Sequence, residues 1–294
     1  MVQSKQVTKQ IANVRFTRSK HEPQERSAYI MARITCNFYS YSVGYPIDIQ
    51  IILPSLSPCD GDVMPELTHK ITEKYPVIYF LHGHGNDYLC WSRFTSIERY
   101  VEERRIAAVF CSVGNKAYMN AEYGENWFDL VEKELPEFVE TNFPISDKKE
   151  DRYVAGLSMG GYGALVHGLK HPERFTAIGA FSPAVVMPQM AEENGGIALG
   201  HTIPPMIKAE DLVDDLLAKK AEFPKIFLCI GHNDFLYESV EAFHQKLVKD
   251  GVEHRYDSVP GYEHEWAFWD LELPMFLDWI PRNDAYAKMD RRKM

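Results

Sequence analysis

A glycine-flanked serine set between a strand and a helix constrains this chain more than any other feature. Tyr153, Val154 and Ala155 form an apolar, strand-like approach into Gly156-Leu157-Ser158-Met159-Gly160, and the run that follows through Leu165 can be helical. A strand that turns into a helix over one serine forces that residue into a strained backbone conformation, leaving room for little beyond glycine at 156 and 160. Gly161 and Gly163 are expected to let the helix lie close against the strand. The turn presents the Ser158 hydroxyl at the sheet edge and aims the first helical amides at the space beside it, where an oxyanion would form. A bare Gly-x-Ser-x-Gly occurs by chance, but the strand before it and the helix after it mark Ser158 as the candidate nucleophile.

The rest of the chain alternates in step with that stretch. Residues 76–81, 107–113, 152–157, 175–181, 225–230 and 253–259 are strand-like, mostly continuous apolar runs. Strands buried on both faces read this way, and they belong to parallel sheets. Helical spacing covers 96–105, 126–143, 159–170 and 237–249, while Pro274 is expected to split the aromatic-rich 265–280 into two short helices. Ahead of these lie two β-rich runs, 30–41 and 47–53, separated by Gly44-Tyr45-Pro46, the pattern of an antiparallel hairpin. The class is α/β: an α/β-hydrolase fold with a mostly parallel central sheet, an N-terminal antiparallel hairpin and helices on both faces. Residues 1–27 are polar and read as an irregular wrap or a short strand around residues 12–16. Residues 1–281 are expected to form a single domain with a lid insertion at about 182–210, because 182–205 reads as one long irregular segment. The last stretch, 282–294, reads as a charged, flexible tail.

Over 294 residues the formal net charge is −10, and no basic stripe interrupts the body of the chain. That argues against nucleic acid or an anionic membrane as partner. The five cysteines, Cys36, Cys59, Cys90, Cys111 and Cys229, show neither a Cys-x-x-Cys pair nor zinc-type spacing. Cys111 and Cys229 lie inside strand-like runs and read as small buried hydrophobes. With no apolar signal core and no run near 18 apolar residues, the chain reads as cytoplasmic.

A serine hydroxyl attacks once a base takes its proton, and the base needs an acid to hold its tautomer and charge. On this fold the order is serine, acid, histidine, with the partners in loops after later strands. Those loops are Gly231-His232-Asn233-Asp234-Phe235-Leu236 and Pro260-Gly261-Tyr262-Glu263-His264-Glu265-Trp266. His264 is the candidate base and Asp234 its candidate acid, on the same sheet edge as Ser158. Glu263 and Asp257 are weaker substitutes for the acid. Among the other histidines, His167 and His171 ride the helix after Ser158, His254 begins a strand, and His232 precedes Asp234 and would reverse the order.

The loop His82-Gly83-His84-Gly85 has the glycines that let backbone approach a substrate oxygen, so the amides of His84 and Met159 are the candidate oxyanion donors. His82 and His84, with His232 and an aspartate, also permit a zinc reading, which the oxyanion role of the glycines outweighs. No metal and no cofactor is expected. Trp91, Trp127 and Trp266 are candidate walls of the substrate pocket, and an aromatic at such a position serves equally well as core.

With these residues in view, the chain resembles the putative-esterase family of α/β-hydrolases, which includes tributyrin-type esterases, S-formylglutathione hydrolases (esterase D), feruloyl and acetyl-xylan esterases, and mycolyltransferases. The resemblance covers residues 30–281. It is carried by the His82-Gly83 loop, by Gly156 to Gly161, by Gly231 to Leu236, and most specifically by Pro260 to Trp266 followed by Trp269-Asp270. It implies the same nucleophile, acid, base and oxyanion amides as the positional reading. It also implies preference for short acyl chains, sometimes on sugars, although an imidazole at position 84 departs from the pattern on the acyl side. The expected activity is a serine carboxylesterase working through an acyl-enzyme on a small-molecule ester, compatible with a homo-oligomer. Its alternatives are an S-formylglutathione-type thioesterase, an acyltransferase to a sugar hydroxyl, and an inactive binding module on the same fold.

Overall fold

In strand β3 (Val77–Leu81) all five side chains are buried. Val77, Tyr79 and Leu81 join one apolar layer, and Ile78 and Phe80 join another. A strand covered on both faces must alternate its side chains between two cores, and the computed structural model, which describes residues 31–55, 71, 73–198 and 200–291, shows that arrangement across its sheet.

The remaining strands are β1 (Met31–Ser40), β2 (Tyr45–Pro54), β4 (Ala107–Cys111), β5 (Arg152–Leu157), β6 (Ala177–Phe181), a two-residue hairpin β7 (Ile197–Ala198) and β8 (His201–Thr202), then β9 (Lys225–Gly231) and β10 (His254–Val259). The main sheet has eight strands in the order β1-β2-β4-β3-β5-β6-β9-β10. β1 and β2 form the expected antiparallel hairpin and β2 joins β4 antiparallel, while every pairing from β4 to β10 is parallel. Helices α1 (Cys90–Phe94), α2 (Ile97–Arg104) and α9 (Trp266–Trp279) cover one face. On the other lie α3 (Trp127–Asp129), α4 (Leu135–Asn142), α5 (Met159–Lys170), α7 (Ala209–Lys219) and α8 (Tyr237–Lys249), with α6 (Met187–Glu193) after β6. Cys111 and Cys229 are buried as expected, and burial pushes the Cys111 thiol up to about 12. Cys59 and residues 1–27 lie outside the described residues.

Three expectations are corrected. Pro274 does not split the last helix, because α9 runs through it. The proline removes one helical hydrogen bond at a cost of about 3 kcal/mol. Phe268, Trp269, Leu273, Phe276 and Leu277 all bury against the sheet, at roughly 1.5–3 kcal/mol each, and hold the helix together. The segment 182–205 is not irregular: it contains α6 and the β7–β8 hairpin, and α7 follows it. The helical run expected over 126–143 is borne out, with a π turn at Leu130–Glu134 inside it. Glu132 and Glu134 in it are both buried, and Glu134 accepts from Ser40 Oγ (2.7 Å) and from the amides of Tyr41 (2.7 Å) and Ser42 (2.9 Å) at the hairpin turn. Finally, the chain after Pro281 is docked as far as it is described, with Tyr286 stacked on Tyr75 at 4.7 Å.

Candidate active site

β5 ends at Leu157 and α5 begins at Met159, so a single residue makes the turn. Ser158 has φ 55° and ψ −118°, a conformation that costs an L-residue about 1–3 kcal/mol and persists only when its surroundings over-determine it. Here they do. The Ser158 amide donates to the Phe181 carbonyl (2.9 Å), and the Ser158 carbonyl accepts from the amides of Tyr162 and Ala184 (3.0 Å each). A Cβ on Gly156 would lie 2.2 Å from the Gly160 carbonyl oxygen, and one on Gly160 would lie 2.3 Å from that of Leu81. Gly161 and Gly163 serve neighbours other than the expected strand: Gly161 admits Pro183, and Gly163 admits the ring of Tyr118.

The loops after β9 and β10 are joined by backbone. His232 N–H donates to Val259 (2.9 Å) and Asn233 N–H to Tyr262 (2.9 Å). Gly231 permits this, since a Cβ there would meet the Tyr262 carbonyl oxygen at 2.4 Å. The junction sets Asp234 Oδ2 at 2.8 Å from His264 Nδ1, with Asp234 Oδ1 accepting from the Leu236 amide at 2.9 Å. Asp234 is buried while His264 keeps part of its surface open. A carboxylate only accepts, so Nδ1 carries the proton and Nε2 is left as the basic nitrogen. The His264 ring lies between Phe235 (4.7 Å) and the edge of Trp269 (5.0 Å). Trp269 Nε1 in turn donates to Ser182 Oγ at 3.1 Å, beside the β6 carbonyl that holds Ser158. A short run of contacts thus links the imidazole to the turn. Among the described residues the Ser158 hydroxyl has no hydrogen-bond partner.

On the other side of Ser158, Gly83 brings the loop after β3 close: a Cβ on it would lie 3.5 Å from Ser158 Cβ. His82 shapes this loop, a role its sequence position gave no sign of. The Val113 amide donates to His82 Nε2 (3.0 Å), which fixes the proton on Nδ1 for donation to the Gly83 carbonyl (2.8 Å). Burial lowers its pKa below the ordinary histidine value, keeping it neutral. Both ring nitrogens are spent on backbone, which leaves neither for the zinc reading. Tyr118 Oη donates to the His82 carbonyl at 2.7 Å. Neither the His84 nor the Met159 amide has an acceptor among the described residues.

The aromatic calls divide. Trp91 is core: it is 1% exposed, donates from Nε1 to the Leu81 carbonyl (3.2 Å) and packs on Phe80 and Phe181. Trp127 is also buried, lining a cleft of about 360 Å³ with Tyr45 and Tyr88 at the ends of β2 and β4, with the loop after β3 between it and Ser158. Trp266 is half-buried against Trp91, Phe94 and Trp269.

The model of the putative esterase family matches residues 40–280. The chain is a member of that family. An acetyl esterase of Caldicellulosiruptor saccharolyticus is 29% identical to this esterase over 268 residues, covering 86% of this chain and 99% of the other. Among solved structures, the fluorophosphonate-binding serine hydrolase FphF of Staphylococcus aureus superposes with a TM-score of 0.74 at 26% identity, covering 85% of this chain and 98% of its own. The S-formylglutathione hydrolase FrmB of the same organism gives 0.71 at 27% identity, covering 86% and 99%. The protein is thus an ester-hydrolysing enzyme, a serine carboxylesterase on the α/β-hydrolase fold. No helix among the described residues is long and apolar enough to cross a membrane.

Proposed function

We propose that this esterase cleaves short-chain acyl esters through a covalent acyl-enzyme formed on Ser158. The observation that carries the assignment is the bond between buried Asp234 and partly open His264, which leaves His264 Nε2 basic on the edge where the Ser158 turn sits. Ser158 Oγ attacks the ester carbonyl carbon as His264 Nε2 takes its proton, and the amides of His84 and Met159 receive the oxyanion. Collapse expels the alcohol, which carries off the proton from His264. Water then gives a proton to the same nitrogen, attacks the acyl carbon and releases the acid, returning the proton to Ser158. The hydroxyl-to-imidazole bond is absent from the present arrangement, and such bonds commonly tighten in the substrate complex.

A short acyl preference is supported by the acetyl esterase relative. The likeness to an S-formylglutathione hydrolase favours a second reading, hydrolysis of a small thioester by the same residues. One set of measurements separates them. p-Nitrophenyl esters of two to twelve carbons and S-formylglutathione are compared on wild type and on Ser158→Ala, alongside labelling by a fluorophosphonate. We expect one label on wild type and none on Ser158→Ala, with kcat/KM highest for the acetyl or butyryl ester. Undiminished labelling of Ser158→Ala would remove the serine from its assigned role.

A further inference from the structure

We infer that His201 is a positioning residue for the oxyanion hole: its imidazole, carried on the segment after β6, braces His84 so that the His84 amide keeps its place beside Ser158. This rests on the reading of that amide as an oxyanion donor.

The loop carrying His84 needs such a brace. Gly83 on one side of His84 packs against Leu157 and Ser158, but Gly85 on the other stands at φ 72° with open space around it, so sterics do little to stiffen the main chain on that side. Before His84 the loop is held by His82, through its ring, and by Tyr118; from His84 onward its hydrogen bonds are Asn86 N–H to Gly83 (3.2 Å), Asn86 Nδ2 to the His84 carbonyl (3.3 Å) and Gly85 N–H to Asn115 Oδ1 (2.7 Å). The His84 side chain meets a different part of the molecule: its ring lies 4.9 Å from that of His201, tilted by 52°.

His201 sits on a segment fastened at both ends to the nucleophile's own helix. At the start, Ala184 N–H donates to the Ser158 carbonyl at 3.0 Å. At the end, Tyr162 Oη donates to the Ile207 carbonyl (2.8 Å) and accepts from the Ile207 amide (3.1 Å). Between these anchors, Ala198↔His201 pairing in the β7–β8 hairpin carries the imidazole, and Ala198 and Ile203 are buried. The segment therefore reaches from Ser158 to the loop opposite and ties one wall of the oxyanion site to the other. His84 Nε2 is buried there with no hydrogen-bond partner.

His201 is itself exposed, so replacing it opens no core cavity. kcat and KM for p-nitrophenyl acetate are measured for wild type, His201→Ala and His201→Phe, with a melting curve for each. Loss of a whole oxyanion donor costs about 10²–10³ in rate. A loosened donor is expected to cost His201→Ala about tenfold in kcat, with KM changed by less than about twofold. His201→Phe keeps the ring contact and is expected to recover to within about threefold of wild type. A kcat for His201→Ala within about twofold of wild type overturns the inference. So does a loss seen only in KM, or one that phenylalanine does not repair. A wild-type protein that neither turns over an ester nor takes the fluorophosphonate defeats the underlying mechanism instead, so the two failures are distinguishable.

Discussion

Ser158 carries positive φ without being glycine, and the strain is separable from the chemistry. Replacing it with alanine removes the hydroxyl but keeps the Cβ in the same conformation. Replacing it with glycine removes both. We expect both variants to be inactive, with Ser158→Gly more stable than Ser158→Ala by about 1 kcal/mol in urea unfolding, even though glycine normally loses that much to chain entropy. Equal midpoints for the two would mean the turn stores no strain. The glycines at 156 and 160 were readable from sequence because a turn this tight excludes any side chain. Asp234 and His264 were readable as residues of post-strand loops, because strand ends can be counted along a chain. His82 was not. Its importance lies in where two ring nitrogens point, and periodicity carries no information about that. Trp91 shows the converse, since a large ring near the site looks the same in sequence whether it lines a pocket or fills the core.

Helix α9 and strand β10 flank the His264 loop, and an acidic pair joins them. Glu272 on α9 is buried beside Asp257 on β10, which is itself paired with Arg255 at 2.6 Å. Burial first, then the Asp257 charge, raises Glu272 to about 7, above its ordinary value of 4.5. The folded protein thus holds this proton more tightly than the unfolded chain does. Stability from this group is fully present below about 4.5, falls as pH rises towards 7 and is level above it. A loss of about 3 kcal/mol is expected across that window. Glu272→Gln should flatten the slope in denaturant titrations at pH 5 and pH 8, and a wild-type difference that survives the substitution would place its origin elsewhere. α9 was legible as apolar helix but not as one helix, because Pro274 announces a break while the packing that overrides it is tertiary. α7 had its signal in plain view, with Ala209, Leu212, Val213 and Leu216 at helical spacing and buried. The π turn at Leu130–Glu134 left none, since the apolar positions of 126–143 read as one helical run.

Eight strands in one sheet place the hairpin at one edge and β10 at the other, with Ser158 near the middle. That order follows from alternation of buried strands with helices, which is why the architecture was the most legible property of the chain. The C-terminal segment was the least, because composition alone made it look solvated. Arg282 Nη1 donates to the Arg104 carbonyl at 2.5 Å, Arg105 Nη1 donates to the Asp290 carbonyl at 2.9 Å, and Tyr286 Oη donates to the Glu73 carbonyl at 2.7 Å while its ring stacks on Tyr75. These contacts gather α2, the approach to β3 and the end of α9 at the sheet's other end, away from the nucleophile. Truncation after Pro281 tests what they contribute. A freely solvated tail predicts no change. The docked segment predicts a loss of roughly 2 kcal/mol from Tyr286 alone, and a fall in melting temperature of about 4–8 °C for the whole truncation. Tyr286→Ala should give about half of it, with kcat on p-nitrophenyl acetate retained below the new transition, because the contacts of the described residues of this segment lie away from the loops that carry Ser158, Asp234 and His264. A melting curve unmoved by both changes would return the segment to the role its charge suggested.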